Sequence, residues 1–163
     1  MTICTRDQVL FFDDPDLANV VQTTWRELPT RFPTIALDAF VVMPNHVHFV
    51  VWLNPVGASL NDALTGGEFQ RPQWDKYAPA LGEVVRTFKA LATWRIRQRW
   101  PKAGFAWQRN YYEHVVRSEG ALRAIRQYIV DNPARWHLDR YNPAATGRDP
   151  QARALWDVLQ NDR

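Results

Sequence analysis

Apolar and polar positions recur along this chain with two different periods, and each change of period marks an element. Thr2 to Thr5 reads as part of a strand. Asp14-Pro15 supplies a helix start, an N-cap followed by proline at the first helical position. Leu17, Val20, Val21, Trp25 and Leu28 follow at helical spacing until Pro29 ends the run. Ile35 to Val42 and Val47 to Leu53 are β-branched and aromatic, which predicts two strands joined at Met43-Pro44-Asn45 or one long strand kinked there. Asn54 to Pro79 is rich in Gly, Pro, Asn and Asp, and reads as a long, mobile connection with at most one helical turn. The clearest helix runs from Leu81 to Trp100, where Leu81, Val84, Val85, Phe88, Leu91 and Ile96 form a buried stripe and Pro101 follows the end. Gly104 precedes a strand expected over Phe105 to Val116. Ser118 caps a helix whose Leu122, Ile125 and Ile129 face the core and whose stop is Pro133. From Asp139 the chain is polar and proline-containing, with a short helix expected from Pro150 to Leu159.

Alternation of few strands with helices predicts an α+β domain, an antiparallel sheet with helices packed on one face. The predicted organisation is one domain over residues 1–138 and a C-terminal tail over 139–163, with no internal repeat. A chain of 163 residues has the size of one ordinary domain, and 46% hydrophobic with 23% charged content is that of a folded globular protein. The single cysteine, Cys4, rules out an internal disulfide framework and any zinc site built on cysteine clusters. The segment Met1 to Asp7 lacks the apolar stretch of a signal peptide, and Ala39 to Leu53 is interrupted by Pro44, Asn45, His46 and His48. A cytoplasmic protein with no membrane partner is therefore expected.

Net charge is only +3, but its distribution is uneven. Between Glu83 and Glu113 there is no acidic residue in 29 positions, against seven basic ones: Arg86, Lys89, Arg95, Arg97, Arg99, Lys102 and Arg109. Trp94, Trp100, Trp107, Tyr111 and Tyr112 are interleaved with them. Such a block can follow a phosphate backbone and stack unpaired bases, whereas the ordinary alternative is a solvated helix face with core aromatics.

The sharpest local feature is Pro44-Asn45-His46-Val47-His48. On a strand, residues two apart share a face, so His46 and His48 project side by side. One divalent cation would satisfy both imidazoles; two partly exposed strand histidines are the plainer alternative. On the last long helix, Tyr128 and Asn132 lie one turn apart. Asn132 can offer a side-chain oxygen to a hard cation, and tyrosine can act as a covalent nucleophile.

Four blocks in order strengthen that picture: Val42-Met43-Pro44-Asn45-His46-Val47-His48, then Gly82 to Lys89, then Trp107-Gln108-Arg109-Asn110-Tyr111-Tyr112-Glu113-His114-Val115-Val116-Arg117, then Ile125-Arg126-Gln127-Tyr128-Ile129-Val130-Asp131-Asn132-Pro133. Together they resemble the REP-associated tyrosine transposases, a branch of the single-tyrosine HUH transposases, over roughly Thr2 to His137.

The resemblance implies a ferredoxin-like HUH endonuclease fold, with His46, His48 and Asn132 as ligands of Mg²⁺ or Mn²⁺ and Tyr128 as nucleophile. It implies cleavage and rejoining of single-stranded DNA next to repeat hairpins, through a 5′-phosphotyrosine intermediate. Expected DNA contacts are Arg86, Lys89, Arg95, Arg97, Arg109, Tyr112 and Arg117. Tyr111 and Tyr112 are rival nucleophiles, expected to be one core residue and one DNA contact or supporting group. Glu113 and His114 match the family pattern without a defined role, and His137 is expected at the surface. Relatives usually carry a few residues before the strand at Thr2, so the start of the sheet edge departs from the pattern. The tail matches no family motif and is expected to fold back and partly cover the DNA groove. A monomer is expected, with the homodimer of insertion-sequence relatives as the other arrangement. The competing functions are a catalytically silent or domesticated hairpin-binding protein of the same fold, and an RNA-binding ferredoxin-like domain. The short chain argues against a replication initiator or relaxase.

Overall fold

Strict alternation along one strand divides the hydrophobic core in two. A computed structural model describes residues 1–53 and 79–162. Strand β1 (Thr2–Cys4) lies antiparallel to β3 (His46–Leu53), which pairs antiparallel with β2 (Ile35–Met43), giving the order β1-β3-β2. Val47, Phe49, Val51 and Leu53 point to one face. His46, His48, Val50 and Trp52 occupy the other. Two strands, not one kinked strand, therefore meet at Pro44-Asn45, with Met43 opposite His46.

Helix α1 (Pro15–Arg26) and helix α2 (Leu81–Arg99) cover the first face. Asp14 caps α1 by accepting a hydrogen bond from the Asp16 amide at 2.9 Å. The expected run to Leu28 breaks at Glu27 and resumes as a single turn, Leu28–Arg31. Pro29 lacks an N–H, and its ring would crowd the carbonyl of Trp25 in a continuous helix. Trp25 is the centre of this layer, 5.0 Å from Phe40 and 4.6 Å from Phe49 between ring centroids.

Helices are expected on one face only, but a second helical layer covers the opposite side of the sheet. Helix α3 (Glu119–Asp131) is capped by Ser118, whose Oγ accepts from the Ala121 amide at 3.2 Å. Its Leu122, Ile125 and Ile129 pack with Val50 and Trp52. Helix α4 (Pro150–Asn161) extends the predicted tail helix by two residues and adds Leu155 and Leu159 to the same cluster. The helical period predicts that α3 has an apolar stripe, but not which face of the sheet that stripe meets.

Phe105–Val116 is not the continuous strand its composition suggests. It runs along the free edge of β1 through two bridges, Thr5 with Trp107 and Thr2 with Tyr112. Between those bridges the segment uses two more residues than the chain from Thr2 to Thr5 does. The expected connection over 54–79 lies, for residues 54–78, outside the described residues. Among the described residues, no helix is long and apolar enough to cross a membrane.

Candidate metal centre and tyrosine site

His46 is fully buried and His48 is 6% exposed. Their Nε2 atoms approach to 3.0 Å, with the rings edge to face. The far nitrogens are held separately. Nδ1 of His46 lies 2.8 Å from Oδ1 of Asn45, and Nδ1 of His48 lies 2.9 Å from the Thr2 hydroxyl. A carboxamide oxygen can only accept, so Asn45 fixes the proton of His46 on Nδ1 and leaves Nε2 as a lone pair. The Asn45 amide nitrogen donates to the carbonyls of Gln8 at 3.1 Å and Tyr141 at 2.7 Å, so this buried side chain ties two other segments to one imidazole.

Burial keeps both rings neutral. Desolvation, and then the neighbouring imidazole, hold His46 well below the usual range. Desolvation and then the nearby N-terminal ammonium lower His48 to about 3. Neutral imidazole is the form that binds metal.

The third group is Asp139, which follows the 3-10 turn Asn132–Leu138. It is 4% exposed, and its Oδ2 is 3.7 Å from Nε2 of His46. Its Oδ1 accepts from the Tyr141 amide at 2.7 Å. Burial raises its pKa. One donor atom from each of His46, His48 and Asp139 falls within 4.8 Å of the others. Ligands about 2.1 Å from a common ion stand about 3–4 Å apart, a range that holds the 3.0 and 3.7 Å separations from Nε2 of His46, so the residues present could hold a divalent cation. Tyr141 closes over this group, its ring 4.9 Å from that of His46.

Tyr128 projects from α3 with its ring 5.4 Å from that of His48. Desolvation first, and the Asp139 charge next, raise its hydroxyl to about 12, while the Asn132 side chain favours the phenolate. Asn132 is 2% exposed, and its Nδ2 has no hydrogen-bond partner among the described residues. The predicted pair Tyr128 and Asn132 are therefore neighbours, with the half-buried Tyr128 ring beside His48. Among His, Cys, Asp and Glu side chains, however, the oxygen donor grouped with the two imidazoles is Asp139.

The buried histidines also predict a pH response. Their native pKa values lie below the unfolded value of 6.5. Below that pH the unfolded chain takes up protons that the native rings refuse. Stability is thus complete above pH 6.5 and falls by about 1.4 kcal/mol per pH unit for each ring, towards the low native values. Thermal melts of metal-free protein from about pH 7.5 to 5.5 should show a fall of several degrees, flattened in His46→Gln/His48→Gln. An equal slope in that variant would assign the loss to other groups.

The basic residues are scattered. Lys89 donates to the carbonyls of Gln108 at 2.6 Å and Arg109 at 3.1 Å, and Arg97 to that of Phe105 at 3.3 Å. Arg95 is turned to α1, where it pairs with Glu27 and donates to the Thr24 hydroxyl at 3.1 Å. Arg86 and Arg109 are exposed. Arg117 is exposed too, donating from its guanidinium to the Val115 carbonyl at 3.2 Å and from its amide to Asp162 at 2.8 Å. Tyr111 packs against the α1–α2 core, whereas Tyr112 is exposed at the sheet edge, 6.2 Å from Trp156 of α4. His114 lies 3.4 Å from Asp162, and Glu113 and His137 are exposed.

No family model matches the sequence. An uncharacterised protein of Haemophilus influenzae is 34% identical over 149 residues, spanning 86% of this chain and 82% of its own length. The chain belongs to that protein's family. A solved structure described as a "putative transposase" from Deinococcus radiodurans is 22% identical and aligns with a TM-score of 0.50 over 80% of this chain and 85% of its own. At that identity the likeness is one of fold, and this member of the Haemophilus protein's family shares the transposase neighbour's α+β architecture.

Sequence reasoning missed two contributors to the site in this family member. Asn45 belongs to the histidine motif, and an accepting side chain directly before a buried histidine is a usable signal for the tautomer. Asp139 carries no signal of that kind. It sits beyond the apolar stripe of α3, and only the turn from Asn132 to Leu138 brings it back to the sheet.

Proposed function

We propose that the protein is a metal-dependent single-strand DNA endonuclease and transposase of the REP-associated tyrosine type. The observation that carries this reading is the meeting of two neutral imidazole Nε2 atoms and a carboxylate beside the ring of Tyr128. His46, His48 and Asp139 hold the cation, and Asn132 offers the further oxygen that the resemblance implies. The paired imidazole donors favour Mn²⁺ over Mg²⁺.

When bound, the cation polarises the scissile phosphate and offsets charge on its oxygens. Tyr128 supplies the nucleophile. Its Oη forms a bond to phosphorus as the bond to the 3′ oxygen breaks, and the phenol proton ends on the released 3′-hydroxyl. One phosphate ester replaces another, so a second 3′-hydroxyl can reverse the step and join new ends without a nucleotide cofactor. Asn45 and Thr2 orient the imidazoles, and the packing of α3 on Val50 and Trp52 holds Tyr128 over them. The DNA is expected to carry a hairpin next to the cut, and the protein to act as a monomer.

Labelled single-stranded DNA bearing repeat hairpins from around the gene tests this on denaturing gels, with and without Mn²⁺ or Mg²⁺. A metal-dependent protein–DNA adduct is expected. Tight hairpin binding without an adduct under any divalent ion would overturn the enzyme reading in favour of a hairpin-binding protein. The high pKa of the Tyr128 hydroxyl is the observation that favours that second reading.

A further inference from the structure

A groove follows the edge segment 106–109, apart from the histidines, with residues 6–8 opposite the segment in its larger recess and α2 opposite it in the smaller. It consists of two recesses of about 640 and 590 Å³ that share Arg6, Trp107, Gln108 and Arg109 as walls. Lys89 and Arg97 fasten α2 to the carbonyls of that segment and so frame the groove. Arg6 and Arg109 are exposed and make no ion pair among the described residues, although Asp7 also lines one recess. At the mouth on α2, Trp94 is 61% exposed. Trp107 is 7% exposed, and its Nε1 has no partner among the described residues, an unsatisfied donor in a side chain that lines both recesses.

The backbone beside it is unusual. Asp7 and Gln8 both have φ of 55°, a conformation that non-glycine residues rarely adopt. It is held by Thr5, whose hydroxyl donates to the Val9 carbonyl at 2.8 Å, and by Asn45, which donates to the Gln8 carbonyl at 3.1 Å. The same Asn45 side chain orients His46, so the groove's rim is fastened to the candidate metal centre. Across the sheet, His46 faces Cys4, whose carbonyl accepts from the Gln108 amide. The groove wall thus stands two strand spacings, roughly 10 Å, from His46.

Two guanidinium groups beside an exposed indole fit a phosphate chain with an adjacent unpaired base. A duplex keeps its bases stacked internally and could not use Trp94. We infer that this groove is a second binding site for unpaired nucleotides, holding a single-stranded stretch of DNA away from the scissile phosphate, with phosphates on Arg6 and Arg109 and one base on Trp94. The inference rests on the proposed single-strand activity, but its test does not need cleavage.

A labelled oligothymidylate should be titrated by fluorescence anisotropy into the full chain carrying Tyr128→Phe, in chelator. Trp94→Ala is expected to weaken binding about tenfold, with Trp94→Phe restoring most of the affinity. Arg6→Gln/Arg109→Gln should reduce the slope of log affinity against log salt by about 1.4, two phosphate contacts at about 0.7 each. All these side chains are exposed, and equal melting midpoints would confirm intact folding. Unchanged affinity and slope in these variants would overturn the site even if wild-type protein forms the adduct. Tighter binding of a duplex, or of RNA of matching sequence, would overturn it as well. Failure of the adduct assay alone would strike the catalytic reading and leave these binding results standing.

Discussion

Tyr128→Phe is expected to remove the covalent protein–DNA adduct while leaving the fold and DNA affinity in place. The substitution deletes one oxygen and keeps the ring that sits 5.4 Å from His48, so packing within α3 and against the sheet persists. The hydroxyl lost is half-buried, protonated in the metal-free protein and raised to about 12 by burial and then by Asp139. Its removal forgoes at most one weak hydrogen-bonding contact, worth about 1 kcal/mol, and the melting midpoint should move by only a few degrees. Loss of a nucleophile that no neighbour can replace should cost adduct formation roughly 10⁴-fold or more. Tyr111 packs into the opposite core, and Tyr112 stands exposed at the sheet edge. An adduct that survives Tyr128→Phe and disappears in Tyr112→Phe would move the chemistry to that edge and break the assignment to α3.

Sequence reasoning reached what short-range periodicity controls. Alternation on β3 put His46 and His48 on one face, and the i to i+4 relation put Tyr128 and Asn132 on one side of α3, because both are properties of a single element. The layer in which α3 lies is a long-range property. Its stripe of Leu122, Ile125 and Ile129 would suit either side of the sheet, and the choice depends on Val50 and Trp52. The basic block shows the same limit. Arg95 and Arg97 are two residues apart on one helix, yet one turns to Glu27 on α1 and the other to the carbonyl of Phe105. Only the partners of a helix distinguish a cation held by the fold from one left for a ligand. The tail illustrates the point from the other side. Expected to lie over a DNA groove, it reaches the histidine face through Asp139 and Tyr141, while its helix completes the core beneath α3. It does not contribute to the walls of the basic groove.

Asp139→Asn should separate the stability of this protein from its metal affinity, with effects of opposite sign. The carboxyl is buried, and its pKa is raised mainly by desolvation. A raised carboxyl pKa means that the native state resists ionisation, so stability is lost as pH rises through the native value, and above that value the ionised group is a burden on the metal-free fold. Asparagine retains an oxygen to accept the Tyr141 amide and carries no charge, so the metal-free variant should melt at the same temperature or a few degrees higher. Divalent metal reverses the comparison. An anionic oxygen beside two imidazoles is the strongest electrostatic contribution to the site, and removing it should weaken Mn²⁺ binding by at least the roughly 10–100-fold lost when merely supporting groups are changed. The stabilisation given by saturating Mn²⁺ should shrink accordingly. Calorimetric titration and paired melts with and without Mn²⁺ measure both signs. If Asp139→Asn binds Mn²⁺ as tightly as wild type while Asn132→Ala loses it, the oxygen ligand is Asn132, as the resemblance implies, and Asp139 is a buried charge facing the tyrosine. If Asp139→Asn alone loses the metal, the tail is part of the centre, and a protein truncated before Asp139 lacks a ligand as well as a covering segment.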